Sequence, residues 1–131
     1  MAAKHLYPQR EVICFAGDGC FLMHGQEFAT ATRHGLAIVV VVVNDGMYGT
    51  IHAHQERDHL GRVSATTLTN PDFAALARTY GGHGETVERT QDFATAFLRT
   101  RSSGRPAIID VKLDPEAITP SRTLSEIRGQ A

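Results

Sequence analysis

The longest apolar pattern in the sequence is an uninterrupted run at positions 37–43. It reads AIVVVVV, seven apolar residues of which six are β-branched. A strand without polar alternation is typical of a parallel sheet that is covered on both faces. Shorter apolar runs at 11–16 and 107–113 predict further strands, the first of them also buried, and a weaker pattern at 84–88 predicts another. The apolar pattern therefore predicts a mostly parallel sheet.

Apolar residues at helical spacing separate these runs. A helix is expected to begin at about 21–26, and a second one after Asn70, which suits an N-cap, with Pro71 at the first helical position. Another amphipathic pattern occupies 90–103, and the tail from residue 116 onward favours a short terminal helix. Because helices alternate with strands, the predicted fold class is α/β, an open, doubly wound sheet with helices on both faces.

Length, charge and cysteine content narrow the classes of function. The chain has 131 residues, a formal net charge of -1 and 2 cysteines. This length predicts one domain over 1–131, with 116–131 as a tail. The small net charge indicates no nucleic-acid partner, and no apolar run approaches the roughly 20 residues that span a bilayer. The N-terminal residues lack the apolar region of a signal peptide, and Cys14 and Cys20 are too far apart along an extended run for a disulfide, so a cytoplasmic setting is expected.

Two Asp-Gly corners carry the strongest chemical signal. GDG at 17–19 follows the first apolar run and NDG at 44–46 follows the longest one. The carboxyl ends of parallel strands meet at one edge of a sheet, where ligands bind. Glycines and free N–H groups at a helix start favour a phosphate there, but Asp18 would repel it. A Mg²⁺ ion between carboxylate and phosphate resolves this conflict, with Asp18, Asp45 and the Met47 carbonyl as oxygen ligands.

The two corners also fit structures that bind no metal. Each could be an ordinary loop, and NDG is also a common tight turn that closes a hairpin, with 48–55 as a weakly alternating partner strand. A dinucleotide-binding fold would need a third glycine after the first strand, which GDGCFL lacks, and no G-K-[ST] follows as in a P-loop. Metal binding is favoured because both corners fit one β-α-β unit.

The stretch 17–50, GDGCFLMHGQEFATATRHGLAIVVVVVNDGMYGT, resembles the thiamine diphosphate motif, a GDG followed at this spacing by Asn-Asn or Asn-Asp. It is most similar to the acetolactate synthase-like enzymes, a group that includes benzoylformate and pyruvate decarboxylases. The resemblance continues through NPDFAALARTYG and GRPAIIDVKLDPE to about residue 115, and it implies the thiamine-diphosphate-binding fold. It covers only the C-terminal, diphosphate-binding domain of such enzymes.

The resemblance implies a role for each matching residue. Asp18 and Asp45 would be side-chain ligands of Mg²⁺ and Met47 a main-chain ligand, while Asn44 would brace the second corner. Backbone groups would contact the diphosphate at Gly17, Gly19, Cys20, Tyr48 and Gly49. The chain departs from the family pattern at Cys20, where serine is common, and at Asp45, where asparagine is commoner. The extra charge of Asp45 is expected either to strengthen metal binding or to raise its pH dependence.

The resemblance also implies what other parts of such an enzyme supply. The glutamate that activates the aminopyrimidine ring belongs to a separate pyrimidine-binding domain, so no catalytic residue is expected in this chain. The chain is expected to be a fragment, or one subunit of a split enzyme that forms homo-oligomers, and to be inactive alone. The implied reaction is carboligation or decarboxylation of a small 2-oxo acid. Alternatives are a decarboxylase of the benzoylformate or pyruvate type and a non-catalytic cofactor-binding module of the same fold.

The histidines after the second corner admit three interpretations. His52 and His54 are two residues apart, so on a strand they would face one side and could hold a metal. In related enzymes this stretch borders the substrate, so Thr50, Ile51 and His54 are candidates for the 2-oxo acid pocket. The stretch could equally be a solvated loop.

Overall fold

Four parallel strands form the centre of the molecule. The computed structural model describes residues 1–119 and 121–129. The strands are β1 (Ile13–Gly17), β2 (Val39–Asn44), β3 (His83–Val87) and β4 (Ala107–Lys112). They pair in the order β1-β2-β4-β3, and every pair is parallel. The predicted α/β class and parallel sheet are therefore confirmed.

Seven α-helices connect and flank the strands within the described residues. They are α1 (Ala2–Leu6), α2 (Asp18–His24), α3 (Phe28–Arg33), α4 (Gly49–Asp58), α5 (Phe73–Thr79), α6 (Phe93–Ser102) and α7 (Leu124–Arg128). Helix α2 begins at the first corner itself, a few residues before the start that the sequence pattern predicts. In the part of the chain that the structure describes, we find no helix with the length and apolar character needed to cross a membrane.

The valine side chains of β2 belong to two hydrophobic cores, one on each face of the sheet. Val40 and Val42 pack on one face of the sheet with apolar side chains of α2, α3 and α5, which include Phe21, Phe28, Ala31, Phe73 and Ala77. Val39 and Val41 pack on the other face, against residues of α6 such as Ala96. Side chains alternate across a strand, so a strand covered on both faces is apolar at nearly every position. The doubly wound arrangement with helices on both faces is confirmed.

Strand β1 differs from the prediction of a buried strand. The side chain of Phe15 is 70% exposed and that of Ile13 is 42% exposed. β1 lies at an edge of the sheet, with β2 as its neighbour, and α6 packs over β3 and β4 on that face. The apolar pattern predicts the strand itself correctly, but burial depends on what packs against a strand, and no described helix covers Phe15.

The start of α5 also differs from the prediction. Asp72 is the N-cap, its carboxylate accepts a hydrogen bond of 2.8 Å from the backbone N–H of Ala75, and the helix begins at Phe73. The assignment of Asn70 as N-cap and Pro71 as the first helical residue was therefore wrong. The side chain of Asn70 instead forms hydrogen bonds at the two Asp-Gly corners.

The C-terminal segment docks on α4. The predicted terminal helix is confirmed as α7, which starts with a capping box of Thr123 and Glu126. Arg128 Nη2 donates a hydrogen bond of 2.9 Å to Oε1 of Glu56, a buried residue of α4, and this contact holds the pKa of the Glu56 carboxyl below its ordinary value. Residues 120, 130 and 131 of the tail predicted over 116–131 lie outside the described residues.

Candidate functional site

The two Asp-Gly corners meet at the carboxyl edge of the sheet. Gly17, the last residue of β1, pairs with Val43 of β2, so Asp18 and Asp45 follow neighbouring strand ends. One open cleft of about 470 Å³ lies over this edge. Its lining includes most of the predicted site residues, namely Gly17, Asp18, Gly19, Cys20, Asp45, Met47, Tyr48 and Gly49. The structure thus brings together residues from two corners that are distant in sequence.

The Asp18 carboxylate is fixed by N–H groups from three parts of the chain. Oδ1 accepts a hydrogen bond from the Gly19 backbone N–H at 2.7 Å. Oδ2 accepts hydrogen bonds from the Gly46 backbone N–H at 2.9 Å and from Asn70 Nδ2 at 2.5 Å. Asp18 is only 2% exposed. Because Gly46 belongs to the second corner, Asp18 ties the two corners together, while the Gly19 N–H predicted for the diphosphate is already engaged.

The Asp45 carboxylate faces the same cleft in a less favourable environment. Its Oδ1 accepts a hydrogen bond of 3.2 Å from the Met47 backbone N–H. Burial raises the pKa of Asp45, and the nearby negative charge of Asp18 raises that pKa further. Two carboxylates that repel each other across a cleft are stabilised by a cation between them. The oxygen ligands expected of Mg²⁺ are therefore available at these corners.

The Met47 carbonyl is a further candidate oxygen ligand. Residues 46–48 form a short antiparallel bridge with 66–68. Its hydrogen bonds join the Tyr48 N–H to the Thr66 carbonyl and the Leu68 N–H to the Gly46 carbonyl, each at 2.8 Å, and neither uses the Met47 carbonyl. No group of three or more His, Cys, Asp or Glu side chains suited to a metal occurs among the residues that the structure describes. Backbone and diphosphate oxygens would have to complete the coordination.

Glycine is required at three positions of the corners, at Gly19 and Gly49 by close packing and at Gly46 by its backbone conformation. A Cβ on Gly19 would lie 2.5 Å from Cε1 of the Tyr48 ring. A Cβ on Gly49 would lie 2.6 Å from Asp45 Oδ2 and 2.9 Å from Cδ1 of Ile118. Gly46 has a φ of 74°, a conformation that side chains disfavour. The positions of both the tyrosine ring and the Asp45 carboxylate thus depend on glycine.

The hairpin interpretation of the second corner was wrong, and so was the loop interpretation of the stretch that follows it. The segment that pairs with the corner is 66–68, and residues 49–58 form helix α4. The local pattern hardly indicates this helix, because α4 lacks an apolar stripe. Its one buried residue is Glu56, whereas Ile51 is 53% exposed. Polar contacts to distant residues hold this helix in place.

The metal site suggested for His52 and His54 was also wrong, because side chains two residues apart on a helix point in directions roughly 200° apart. His52 Nδ1 lies 3.0 Å from Thr66 Oγ1. His54 Nδ1 lies 2.8 Å from Arg57 Nη2. A guanidinium only donates, so the His54 Nδ1 accepts and its Nε2 carries the proton. His54 lines a neighbouring cavity of about 570 Å³ that shares Thr50 with the cleft.

The sequence analysis did not predict a buried network of polar side chains that lies behind the corners. Asn44 Nδ2 donates a 2.9 Å hydrogen bond to Asp110 Oδ1, and Lys112 Nζ lies 2.8 Å from Asp110 Oδ2. Asn70 Nδ2 donates to Asn44 Oδ1, also at 2.9 Å. Asp110 is 1% exposed in the middle of β4. An aspartate inside an otherwise apolar strand was the signal that could have revealed this network, since buried carboxylates need partners.

Replacing Asp45 by asparagine is expected to stabilise the ligand-free chain and to weaken Mg²⁺ binding. The substitution removes the charge that burial and Asp18 disfavour, so the melting temperature should rise by a few degrees. The gain in free energy of unfolding should be less than about 1 kcal/mol, because the group is partly solvated. A raised pKa means that wild-type Asp45 is protonated more readily when folded. The stability of the variant should therefore exceed that of wild type most at neutral pH, and the difference should disappear as pH falls toward 3.8.

Calorimetric melts between pH 4 and 8, without ligands and with Mg²⁺ and thiamine diphosphate together, measure both effects. Asp92→Asn, at a half-buried aspartate paired with Arg89, serves as the charge-matched control. A lower melting temperature for ligand-free Asp45→Asn at neutral pH would contradict electrostatic repulsion at this corner.

Comparison with known proteins gives one family and consistent relatives. The family model described as thiamine pyrophosphate enzyme, C-terminal TPP binding domain, matches residues 1–111. The acetolactate synthase large subunit IlvG of Mycobacterium tuberculosis is 35% identical over 123 residues, which are 94% of this chain and 22% of that protein. The acetolactate synthase isozyme 2 large subunit of Escherichia coli is 34% identical over 115 residues, 87% of this chain and 21% of that protein.

A solved structure shows the same fold. Benzoylformate decarboxylase from Polynucleobacter necessarius superimposes with a TM-score of 0.78 at 24% identity, covering 88% of this chain and 22% of the enzyme. The chain thus spans about a fifth of the length of the proteins it matches.

Proposed function

Because the chain belongs to the thiamine pyrophosphate enzyme family and matches its C-terminal TPP-binding domain, we propose that it binds Mg²⁺ and the diphosphate group of thiamine pyrophosphate, which is also called thiamine diphosphate. The observation that supports this most directly is the meeting of Asp18 and Asp45 in one cleft, tied together by the hydrogen bond from Gly46 to Asp18. Two carboxylates and a carbonyl are an oxygen ligand set suited to Mg²⁺ bound to a diphosphate.

Each residue of the cleft has a proposed part in holding the cofactor. The Asp18 and Asp45 carboxylates and the Met47 carbonyl would ligate the metal. Backbone N–H groups near Cys20 and Gly49 would approach the diphosphate, since both residues line the cleft. When bound, the cofactor supplies a ring that stabilises a carbanion, while the protein supplies position and electrostatics. This chain's share is to fix the diphosphate end.

The reaction that we propose for the whole enzyme is carboligation or decarboxylation of a 2-oxo acid. The similarity to acetolactate synthase large subunits supports this substrate class. His54, with its Nε2–H as a donor, and Thr50 border the cavity next to the cleft and are our candidates for the substrate side. We place the enzyme in the cytoplasm, where free thiols such as those of Cys14 and Cys20 persist.

The rest of the enzyme is proposed to include a pyrimidine-binding domain or subunit and a second copy of the chain. The chain's small share of its relatives' length supports further domains. The exposed apolar side chains of Ile13, Phe15 and Leu98 support a covered surface in the assembly. The activating glutamate would be on the missing domain, so the purified chain alone should form neither acetolactate nor CO₂ from pyruvate. Product formation by the chain alone would contradict this division of labour.

Thermal stability tests the cofactor proposal directly. The melting temperature of the chain is measured with Mg²⁺ alone, thiamine diphosphate alone, and both together. A ligand that binds only the folded state raises stability by mass action. We expect a rise that requires both components, because the metal bridges the carboxylates and the diphosphate. No rise at millimolar concentrations of both would contradict binding by this chain.

A further inference from the structure

Asn70 lies between side chains of the two corners. Its Nδ2 donates one hydrogen bond to Asp18 Oδ2 at 2.5 Å and another to Asn44 Oδ1 at 2.9 Å. These partners are 52 and 26 residues away in sequence. A single amide group therefore connects the carboxylate of the first corner to the end of β2, and through Asn44 to Asp110 in β4.

The backbone around Asn70 is built onto the second corner. The 66–68 segment is held by hydrogen bonds from Tyr48 and to Gly46, each of 2.8 Å. Pro71 follows Asn70 and restricts its backbone to extended conformations. Helix α5 then starts at Phe73 with its own cap, Asp72, so Asn70 is not needed to cap it. The position of Asn70 is thus set by the corner and not by the helix.

The orientation of the Asn70 amide is determined by its neighbours. Both atoms that Nδ2 contacts are acceptors, an Asp18 carboxylate oxygen and the Asn44 amide oxygen. A flipped amide would place its oxygen against these two oxygens, which is repulsive. In the observed orientation, Asn70 Oδ1 is buried without a hydrogen-bond partner among the described residues. An unpaired buried oxygen is unfavourable, so the two donated hydrogen bonds decide the orientation.

Hydrogen bonding at Asp18 then distinguishes its two oxygens. Oδ2 accepts two hydrogen bonds, from Gly46 and Asn70, which use both of its lone pairs. Oδ1 accepts one, from Gly19, and keeps a lone pair. Without Asn70, both oxygens would have a free lone pair, and hydrogen bonding would no longer distinguish Oδ1 from Oδ2 as the oxygen available to a metal.

We propose that Asn70 is a positioning residue for the metal: it holds Asp18 so that Oδ1 is the oxygen offered to Mg²⁺, and it couples this carboxylate to the Asn44–Asp110 pair. This inference rests on the proposed binding of Mg²⁺ and thiamine diphosphate. Groups that orient metal ligands in this way typically change metal affinity ten- to a hundredfold when they are removed. Asn70 itself contacts neither the metal nor the reacting atoms in this arrangement.

The test compares Asn70→Ala and Asn70→Asp with wild type in the full 131-residue chain. For each protein, the Mg²⁺ concentration at half-saturation is measured at fixed thiamine diphosphate by titration calorimetry, together with the ligand-free melting temperature. We expect half-saturation to rise about ten- to a hundredfold in Asn70→Ala. Half-saturation should also rise in Asn70→Asp, which keeps the shape but whose carboxylate cannot donate to Asp18; its added negative charge attracts the cation and offsets part of that rise.

Asp72→Ala is the matched control. It removes the cap of α5 and so destabilises the same region, but Asp72 makes no hydrogen bond to Asp18. We expect its Mg²⁺ half-saturation to equal that of wild type. If Asp72→Ala weakens Mg²⁺ binding as much as Asn70→Ala does, affinity follows local stability and the positioning role is overturned.

The remaining outcomes separate this inference from the proposed function. Wild-type Mg²⁺ half-saturation in both Asn70 variants overturns the role of Asn70 and leaves cofactor binding intact. Absence of binding in wild type itself overturns cofactor binding by this chain, and the role of Asn70 with it.

Discussion

Replacing Asp18 by alanine should abolish the stabilisation of this chain by Mg²⁺ and thiamine diphosphate together. Wild type at about 100 times the dissociation constant gains about 2.7 kcal/mol, a shift of roughly 10 °C for a domain of this size. The variant lacks the carboxylate that lines the cleft and is joined to the second corner. Its melting temperature should therefore not change when both ligands are added.

The ligand-free baseline of this variant will also move. Asp18 accepts hydrogen bonds from Gly19, Gly46 and Asn70 in a buried place, and its removal leaves those donors unpaired. Asp18→Asn is therefore measured beside it, since it keeps the shape and one oxygen while removing the charge. Each variant is compared with its own ligand-free melting curve, which separates loss of binding from loss of stability.

Asp58→Asn provides a control at an exposed ion pair with Arg57. It should retain the full ligand-induced rise, because Asp58 does not line the cleft. A rise of wild-type size in Asp18→Ala would remove Asp18 from the metal site. A rise that Mg²⁺ alone produces would instead indicate a metal site that does not need the diphosphate.

Local patterns predict the frame of this site. The valine run of β2 can be interpreted from its own residues alone, because a strand buried on both faces is apolar at nearly every position. Asp18 and Asp45 can be placed together in a similar way, since the carboxyl ends of adjacent parallel strands coincide. These inferences need only residues close in sequence and the rules of parallel sheets.

Features that depend on distant partners were not predicted. Helix α4 is held by Glu56, whose partner Arg128 is 72 residues away. Its apolar Ile51 is exposed, so the segment lacks the apolar spacing that is typical of a helix. The Pro71 that follows Asn70 favours a cap at that position, whereas the partners of Asn70 lie in both corners. The exposure of Phe15 depends on which elements cover β1. None of these properties is encoded in local spacing.

Gly84→Ala should cause the largest loss of stability of any single methyl group added to the sheet. Gly84 lies in β3, paired with the fully buried Ile108 of β4. A Cβ at this position would overlap the backbone carbonyl oxygen of Ala74 in α5 and would lie 2.7 Å from its carbonyl carbon. Backbone atoms cannot rotate away as a side chain can, so α5 must shift as a unit.

The expected loss is about 3 kcal/mol, a fall in melting temperature of roughly 10 °C, because overpacking of this kind strains both elements. Chemical denaturation and calorimetry of the ligand-free chain measure it. Gly17→Ala adds the same methyl group where no other atom lies within 4 Å, and it should leave the melting temperature almost unchanged. If Gly84→Ala melted as Gly17→Ala does, α5 could not pack so closely on β3.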